Sequence, residues 1–230
     1  MSHAYTLPTI LRLALLVALG TASSIHAAPA GPPSPAAAAE APFVRALEIF
    51  ERARAGDTSA VEPAIAALGG LVRNEPQQPV YAAYLGSALT LKGRDAWMPW
   101  NKMSYVEQGT DRIDGALAAL KPEHDRQLLR GVPASVETLF VAATTFIKIP
   151  DAIFHRRADG KKILARLIHH PAFAAAPPGF RAAVHVTAAD EARRDERTSE
   201  ETASLKQAIA IDPSGKSADR ARVRLKELGQ

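Results

Sequence analysis

Trp97 and Trp100 are the only two tryptophans of this 230-residue chain, and they stand three residues apart in the stretch Trp97-Met98-Pro99-Trp100. Large aromatics between helices are costly to leave in water, and aromatic side chains dominate the hot spots of binding surfaces. Arg94, Asp95, Lys102 and Tyr105 add charges and hydrogen-bonding groups to the same stretch. Tyr84, Arg94, Trp97, Trp100, Lys102 and Tyr105 are therefore the candidate partner-binding residues. The competing role is structural: both indoles fold back and fill the gap between two helices, with Pro99 fixing the turn. The expected arrangement lies between these. Trp97 packs against a helix beginning near Met103, and Trp100 is partly exposed at the edge of a groove.

Two other constellations invite chemistry. His155, His169, His170 and His185 suggest a metal, but a helical ligand pair needs a spacing of three or four on one face. His169 and His170 are adjacent and point apart, so solvated or helix-end histidines explain the set better. Glu137 and Asp151 flank an apolar helix, with Arg130 before them and Arg156 after, as an acid/base pair in a cleft would. Capping and ion pairing explain them better. The chain has no GxSxG, Walker loop, Gly-rich dinucleotide turn or HExxH. No catalytic residue, metal ligand or cofactor site is assigned.

Composition narrows the class. With no cysteine, disulfides, thiolate zinc sites and covalent c-type haem are excluded. The net charge of +4 is carried by no dense basic run; Arg156-Arg157, Lys161-Lys162 and Arg193-Arg194 are only pairs. A nucleic-acid binder needs a clustered stripe, so nucleic acid is not an expected partner. The chain is 47% hydrophobic but only 6% aromatic. That balance, with its abundant Ala, favours packed helices over a β-sandwich.

The first residues belong to targeting and not to the fold. The short apolar run Leu11 to Gly20 leads through small and polar residues to Ile25-His26-Ala27. This is the layout of a secretory signal peptide, residues 1–27, cleaved after Ala27. The run is too short to span a bilayer, which takes roughly 20 apolar residues. No Cys follows the cut, so a lipoprotein anchor is not expected. The mature chain should be periplasmic or secreted, with no stable transmembrane span. Residues 28–42, rich in Ala and Pro, read as a flexible or polyproline-like tether.

From Phe43 onward apolar residues fall at helical spacing, and no alternating strand is evident. Phe43, Leu47 and Phe50 open the first helix. Ser59 with Glu62, Ser104 with Glu107 and Thr198 with Glu201 fit capping boxes. Val80, Tyr84, Ala88 and Leu91 form a third helix that stops at Gly93. Met103, Val106, Thr110, Ile113, Leu117 and Leu120 make the cleanest amphipathic stripe. Residues 123–129 suggest a short helix. Pro133 opens another helix that Pro150 closes. Residues 161–169, 180–194, 198–211 and 218–228 complete an all-α domain spanning 43–228.

Several helices end alike: a small or polar residue, an apolar residue four later, and a proline eight beyond that. Ala64, Leu68 and Pro76 fit, as do Glu201, Leu205 and Pro213; Gly109, Ile113 and Pro122 fit with the proline one residue late. With Leu85-Gly86, this resembles the tetratricopeptide repeat (TPR), a helix–turn–helix unit of 34 residues. The pattern departs from the repeat in three places. The Trp97 insertion holds the two central helices apart, residues 123–178 fit poorly, and Glu201 replaces a small residue. The resemblance implies antiparallel helix hairpins stacked as a short, irregular TPR-like solenoid, which suits an extended peptide or a partner helix. The expected function is a non-enzymatic binding module or adaptor for a protein or peptide partner in the bacterial envelope. The alternative is an envelope hydrolase or small-ligand carrier with a cleft near Trp97.

Overall fold

The computed structural model describes residues 35–230. The expected signal peptide, 1–27, and residues 28–34 of the expected tether lie outside the described residues. The described chain is all-α apart from one two-stranded ribbon. Its order is α1 (Pro35–Arg54), α2 (Val61–Asn74), α3 (Pro79–Asp95), α4 (Pro99–Ala118), β1 (Leu128–Leu129), β2 (Val132–Pro133), α5 (Ala134–Lys148), α6 (Asp151–Phe154), α7 (Arg157–Ile168), α8 (Pro178–Arg194), α9 (Thr198–Ile211) and α10 (Lys216–Glu227). Consecutive long helices pack as pairs: α1 on α2, α2 on α3, α3 on α4, α8 on α9 and α9 on α10. The helix α5 reaches back to α3 and forward to α7.

Several boundaries differ from expectation, each for a local reason. The first helix starts at Pro35, so residues 35–42 are helical and not a tether. Ala36 to Ala39 are the strongest helix formers available, and Pro35 sits at the first position, where its missing N–H costs nothing. The Glu40 carboxylate accepts the backbone N–H of Arg130 at 3.1 Å, which ties this early turn to the ribbon. None of the three expected capping boxes forms. Asp57, not Ser59, accepts the first free N–H, from Ser59 at 3.1 Å, and heads a 3-10 turn before α2. Ser104 lies inside α4 and accepts from Gln108. Glu201 turns inward, and its carboxylate takes the Arg224 Nε–H at 2.6 Å.

The expected short helix over residues 123–129 is replaced by a 3-10 turn at Pro122–Asp125 and strand β1. Strands β1 and β2 close over Arg130 and Gly131, both at positive φ, as a two-residue hairpin turn demands. The ribbon is too short for alternation to be visible in sequence.

The three largest apolar clusters lie as follows. Phe43, Phe50, Leu68, Val80 and Leu85 fill the first, between α1, α2 and α3. Val136, Leu139, Leu164, Leu167 and Val184 fill the second, around α5. Ala182, Leu205, Ala221 and Leu225 fill the third, where α8, α9 and α10 meet.

Arg156 clamps α4 to α5 and α7. Its guanidinium lies 3.8 Å from the Phe146 ring centre and grips Asp114 with two bonds of 2.9 and 2.8 Å. Replacing it by Ala removes a bidentate charge-assisted pair and a cation–π contact, and should cost about 2 kcal/mol in urea unfolding. Arg156→Lys should recover little of that, because an ammonium cannot make the two-pronged contact. A Lys variant as stable as the parent would show that charge alone is what matters.

Candidate functional site

The candidate site grows out of the α3–α4 hairpin. Three glycines set how closely these helices pack. A Cβ on Gly86 would sit 2.5 Å from the Gly109 carbonyl oxygen, and a Cβ on Gly109 would sit 2.5 Å from that of Gly86. A Cβ on Gly93 would meet the Lys102 carbonyl at 2.9 Å and Val106 Cγ2 at 2.7 Å. Backbone therefore runs on backbone along the pair. The helices are not held apart by the tryptophan stretch, as the sequence suggested. They are joined by three residues, Ala96 to Met98, and α3 runs past Gly93 to Asp95.

With no gap between the helices, there is no room for an indole. Trp97 is 88% exposed and Trp100 66% exposed. This overturns the expectation that Trp97 packs against the helix. Met98 and Met103 are also exposed, at 39% and 42%, so Met103 does not head the inward stripe of α4. Pro99 occupies the first turn of α4 with Met98 as N-cap, where a fixed φ and an absent N–H suit the helix start. Trp97, Met98, Trp100 and Met103 together form an apolar tip on a rigid turn.

The polar candidates divide into three groups. Arg94 is engaged: its Nε and Nη2 bond Asp95 at 2.6 and 2.7 Å, and Nη2 also donates to the Ala53 carbonyl at 3.1 Å. It anchors the base of the tip to α1. Lys102 Nζ donates to the Arg94 carbonyl at 3.4 Å, at the C-terminal end of α3 where a cation meets the helix dipole. It makes no ion pair among the described residues. Tyr105 lies under Lys92, whose Nζ is 4.5 Å from the ring centre and 2.6 Å from Glu62 Oε1. The bond to Glu62 holds the Lys92 ammonium above its ordinary pKa. Tyr105 thus braces α2, α3 and α4 beneath the tip.

Tyr84 does not belong to this site. It lies eleven residues before Asp95 on α3, about 16 Å along the helix axis. Its ring packs edge-on against Phe43 and Phe50. Its hydroxyl donates to Glu137 Oε1 at 2.9 Å, and Arg130 Nη2 donates to the same oxygen. Burial is the main cause raising both the Tyr84 and Glu137 pKa values, and the Arg130 charge works against the rise at both groups. Glu137, only 1% exposed, is therefore a buried structural carboxylate. Asp151 is not beside it; Asp151 Oδ1 accepts the Arg157 N–H at 2.9 Å, the capping role that the sequence favoured.

Two surface grooves stand out. One, between α2, α3 and α4, is lined by Val72, Leu89, Asp111, Arg112 and Gly115. The other, between α8, α9 and α10, is lined by Val186, Leu205, Val223 and Arg224. Neither is lined by Trp97 or Trp100, so neither supplies the cleft that the hydrolase or carrier alternative needs. His170 Nδ1 accepts the Ala172 N–H and His185 packs on Phe173, so both have helix-end or packing roles. Among the described residues, no three His, Asp or Glu side chains are placed to share a metal ion, and no helix is long and apolar enough to cross a membrane. The sequence reading includes Met98 in the stretch without counting it as a contact residue and sets Met103 on the inward stripe, although Met103 follows Trp100 by three residues and so shares its side of α4.

Compared with known protein families, with curated proteins and with solved structures, the chain matches none.

Proposed function

We propose that this chain is an exported, non-enzymatic binding module of the bacterial envelope, an adaptor whose contact element is the Trp97–Trp100 tip. One observation carries the reading: the only two indoles of the protein stand in water on a braced, proline-started turn. Exposed aromatic clusters of this kind mark interaction sites, since isolated tryptophans otherwise find cover. The residues that make contact are Trp97, Met98, Trp100, Lys102 and Met103, with Arg94 and Tyr105 as supports. Export rests on the signal-like first 27 residues and places the module in the periplasm or outside the cell.

A TPR-like ancestry belongs to the same proposal. Its support is the reciprocal approach of Gly86 and Gly109, since a helix–turn–helix repeat needs small residues where its two helices touch. A concave solenoid groove is not required by this reading, because the tip is convex.

The test is a photo-crosslinking residue placed at Met98 in the native host. An adduct to an envelope component is expected, and Trp97→Ser should abolish it without lowering the Tm. An adduct yield no higher than that from exposed Asp219, on α10, would reject the tip as a contact element.

A further inference from the structure

From the chemistry of the tip we infer that its occupant is the surface of an anionic lipid bilayer, with the two indoles seated at headgroup depth and Lys102 among the lipid phosphates. This rests on the docking reading above and names the partner. It departs from the protein or peptide partner that the sequence led us to expect.

Three features favour a bilayer. The first is shape. The apolar residues crown a three-residue turn and the first turn of α4, and neither surface groove includes them. A convex tip needs a complementary pocket on a protein, whereas a fluid headgroup layer moulds to it. The second is residue type. Trp is the side chain most at home at the membrane–water interface, where its ring meets hydrocarbon and its N–H stays hydrated. Met98 and Met103 add flexible apolar surface beside it.

The third is charge. From Ala96 to Ser104 the only ionised side chain is Lys102. The carboxylates flanking this stretch in sequence are Asp95, which is paired with Arg94 at 2.6 Å, and Glu107, further along α4. Lys102 spends one hydrogen on the Arg94 carbonyl and has no carboxylate partner among the described residues. An apolar tip with one uncompensated cation at its edge complements an anionic lipid surface, and the lysine stem can extend along the apolar surface while its ammonium reaches the phosphates. The hairpin presents this set already ordered, because Pro99 and the glycine contacts fix the turn, so little conformational entropy is lost on docking.

The experiment uses the intact processed protein and two vesicle preparations: phosphatidylethanolamine with phosphatidylglycerol, and phosphatidylcholine alone. Both tryptophans sit on the tip, so their emission reports docking directly. The anionic vesicles should shift it to the blue, shield it from iodide and sediment the protein. Trp97→Ser and Trp100→Ser should each weaken partitioning about tenfold. Lys102→Gln should weaken it about fivefold on the anionic vesicles, less in high salt, and little on phosphatidylcholine. Circular dichroism melts should match the parent for all three.

Emission and sedimentation unchanged by either vesicle overturn the inference, as does vesicle binding that survives both serine substitutions. If the vesicles have no effect while the Met98 crosslinker captures a polypeptide, the lipid assignment fails and the docking tip stands. If the crosslinker captures nothing either, both fail together.

Discussion

Gly86→Ala should be among the most damaging single-methyl changes available to this protein. In an ordinary exposed helix the substitution stabilises by roughly 0.5–1 kcal/mol, because alanine has less backbone entropy to lose. Here the added carbon would lie 2.5 Å from the Gly109 carbonyl oxygen and 2.7 Å from Ile113 Cγ1. The first obstacle is backbone, so no side-chain rotation relieves it; α3 and α4 must separate. Overpacking of this kind costs about 3 kcal/mol, a large part of the marginal stability of a domain. The Tm should fall by roughly 10 °C for a chain of this size. Gly109→Ala should behave alike, since its methyl would strike the Gly86 carbonyl and Thr90 Cγ2. Gly115→Ala is the internal control. It lies on the same α4 with nothing within 4 Å of its would-be Cβ, and it should be neutral or stabilising. Equal Tm values for Gly86→Ala and Gly115→Ala would show that the close helix crossing is wrong.

Arg130→Met should be comparably harmful, and its harm should depend on pH. Glu137 is buried, with Oε1 bonded by Tyr84 and Arg130 and Oε2 without a protein partner. Burial already raises its pKa, and the Arg130 charge is the largest influence opposing that rise. Without the guanidinium, the folded-state pKa climbs further above the unfolded value near 4.5. A carboxyl whose folded pKa exceeds its unfolded pKa binds more protons when folded, so stability falls as pH rises through the window between the two. The variant should thus lose about 3 kcal/mol at neutral pH, the cost of breaking a buried pair and stranding one charge. It should recover part of that loss toward pH 5. Equilibrium unfolding of parent and variant across this range provides the check. A pH-independent difference would mean that Glu137 is not the stranded group. Glu137→Gln with Arg130→Met should remove the part of the pH dependence that Glu137 causes, because position 137 then carries no titrating group.

Helix identity was legible in the sequence, and helix environment much less so. Phe43, Leu47 and Phe50, or Val136, Ala143 and Ile147, announce their helices by spacing, and they are buried as that spacing requires. The capping boxes misled because Ser59, Ser104 and Thr198 match a short pattern that says nothing of what lies across from them. Glu201 is recruited by Arg224, on a helix 23 residues away, and the pattern cannot register that partner. Arg130 likewise reads as a loop residue. Only the positive-φ turn beside Gly131 brings its side chain back over Phe43 and onto Glu137.

The site was found by composition and misjudged in depth. Two tryptophans near a proline single out the stretch, but whether they are core or surface depends on the distance between α3 and α4. That distance is set by Gly86 and Gly109, far from the tryptophans along the helices, and by Gly93, close to Trp97; none of the three carries a side chain for a pattern to register. Tyr84 reads together with the tip in sequence because α3, which carries it, leads into the tryptophan turn. A helix also separates its own residues by length, and here it delivers the tyrosine to a different helix pair.

The placement of the indoles has a practical consequence for anyone who follows the folding of this protein. Tryptophan emission is the usual optical signal of unfolding because native indoles are shielded and unfolded ones are not. Here both are already hydrated in the native state. Denaturant should therefore leave the emission maximum almost where it began, while the far-ultraviolet helical signal collapses. A flat fluorescence trace would not mean a protein that resists urea, nor one that lacks a fold. The tyrosines Tyr81 and Tyr84, packed against Phe43 in the first core cluster, are the chromophores whose surroundings change when that core opens. Exciting them selectively in a variant without tryptophan would give the transition that the parent protein hides.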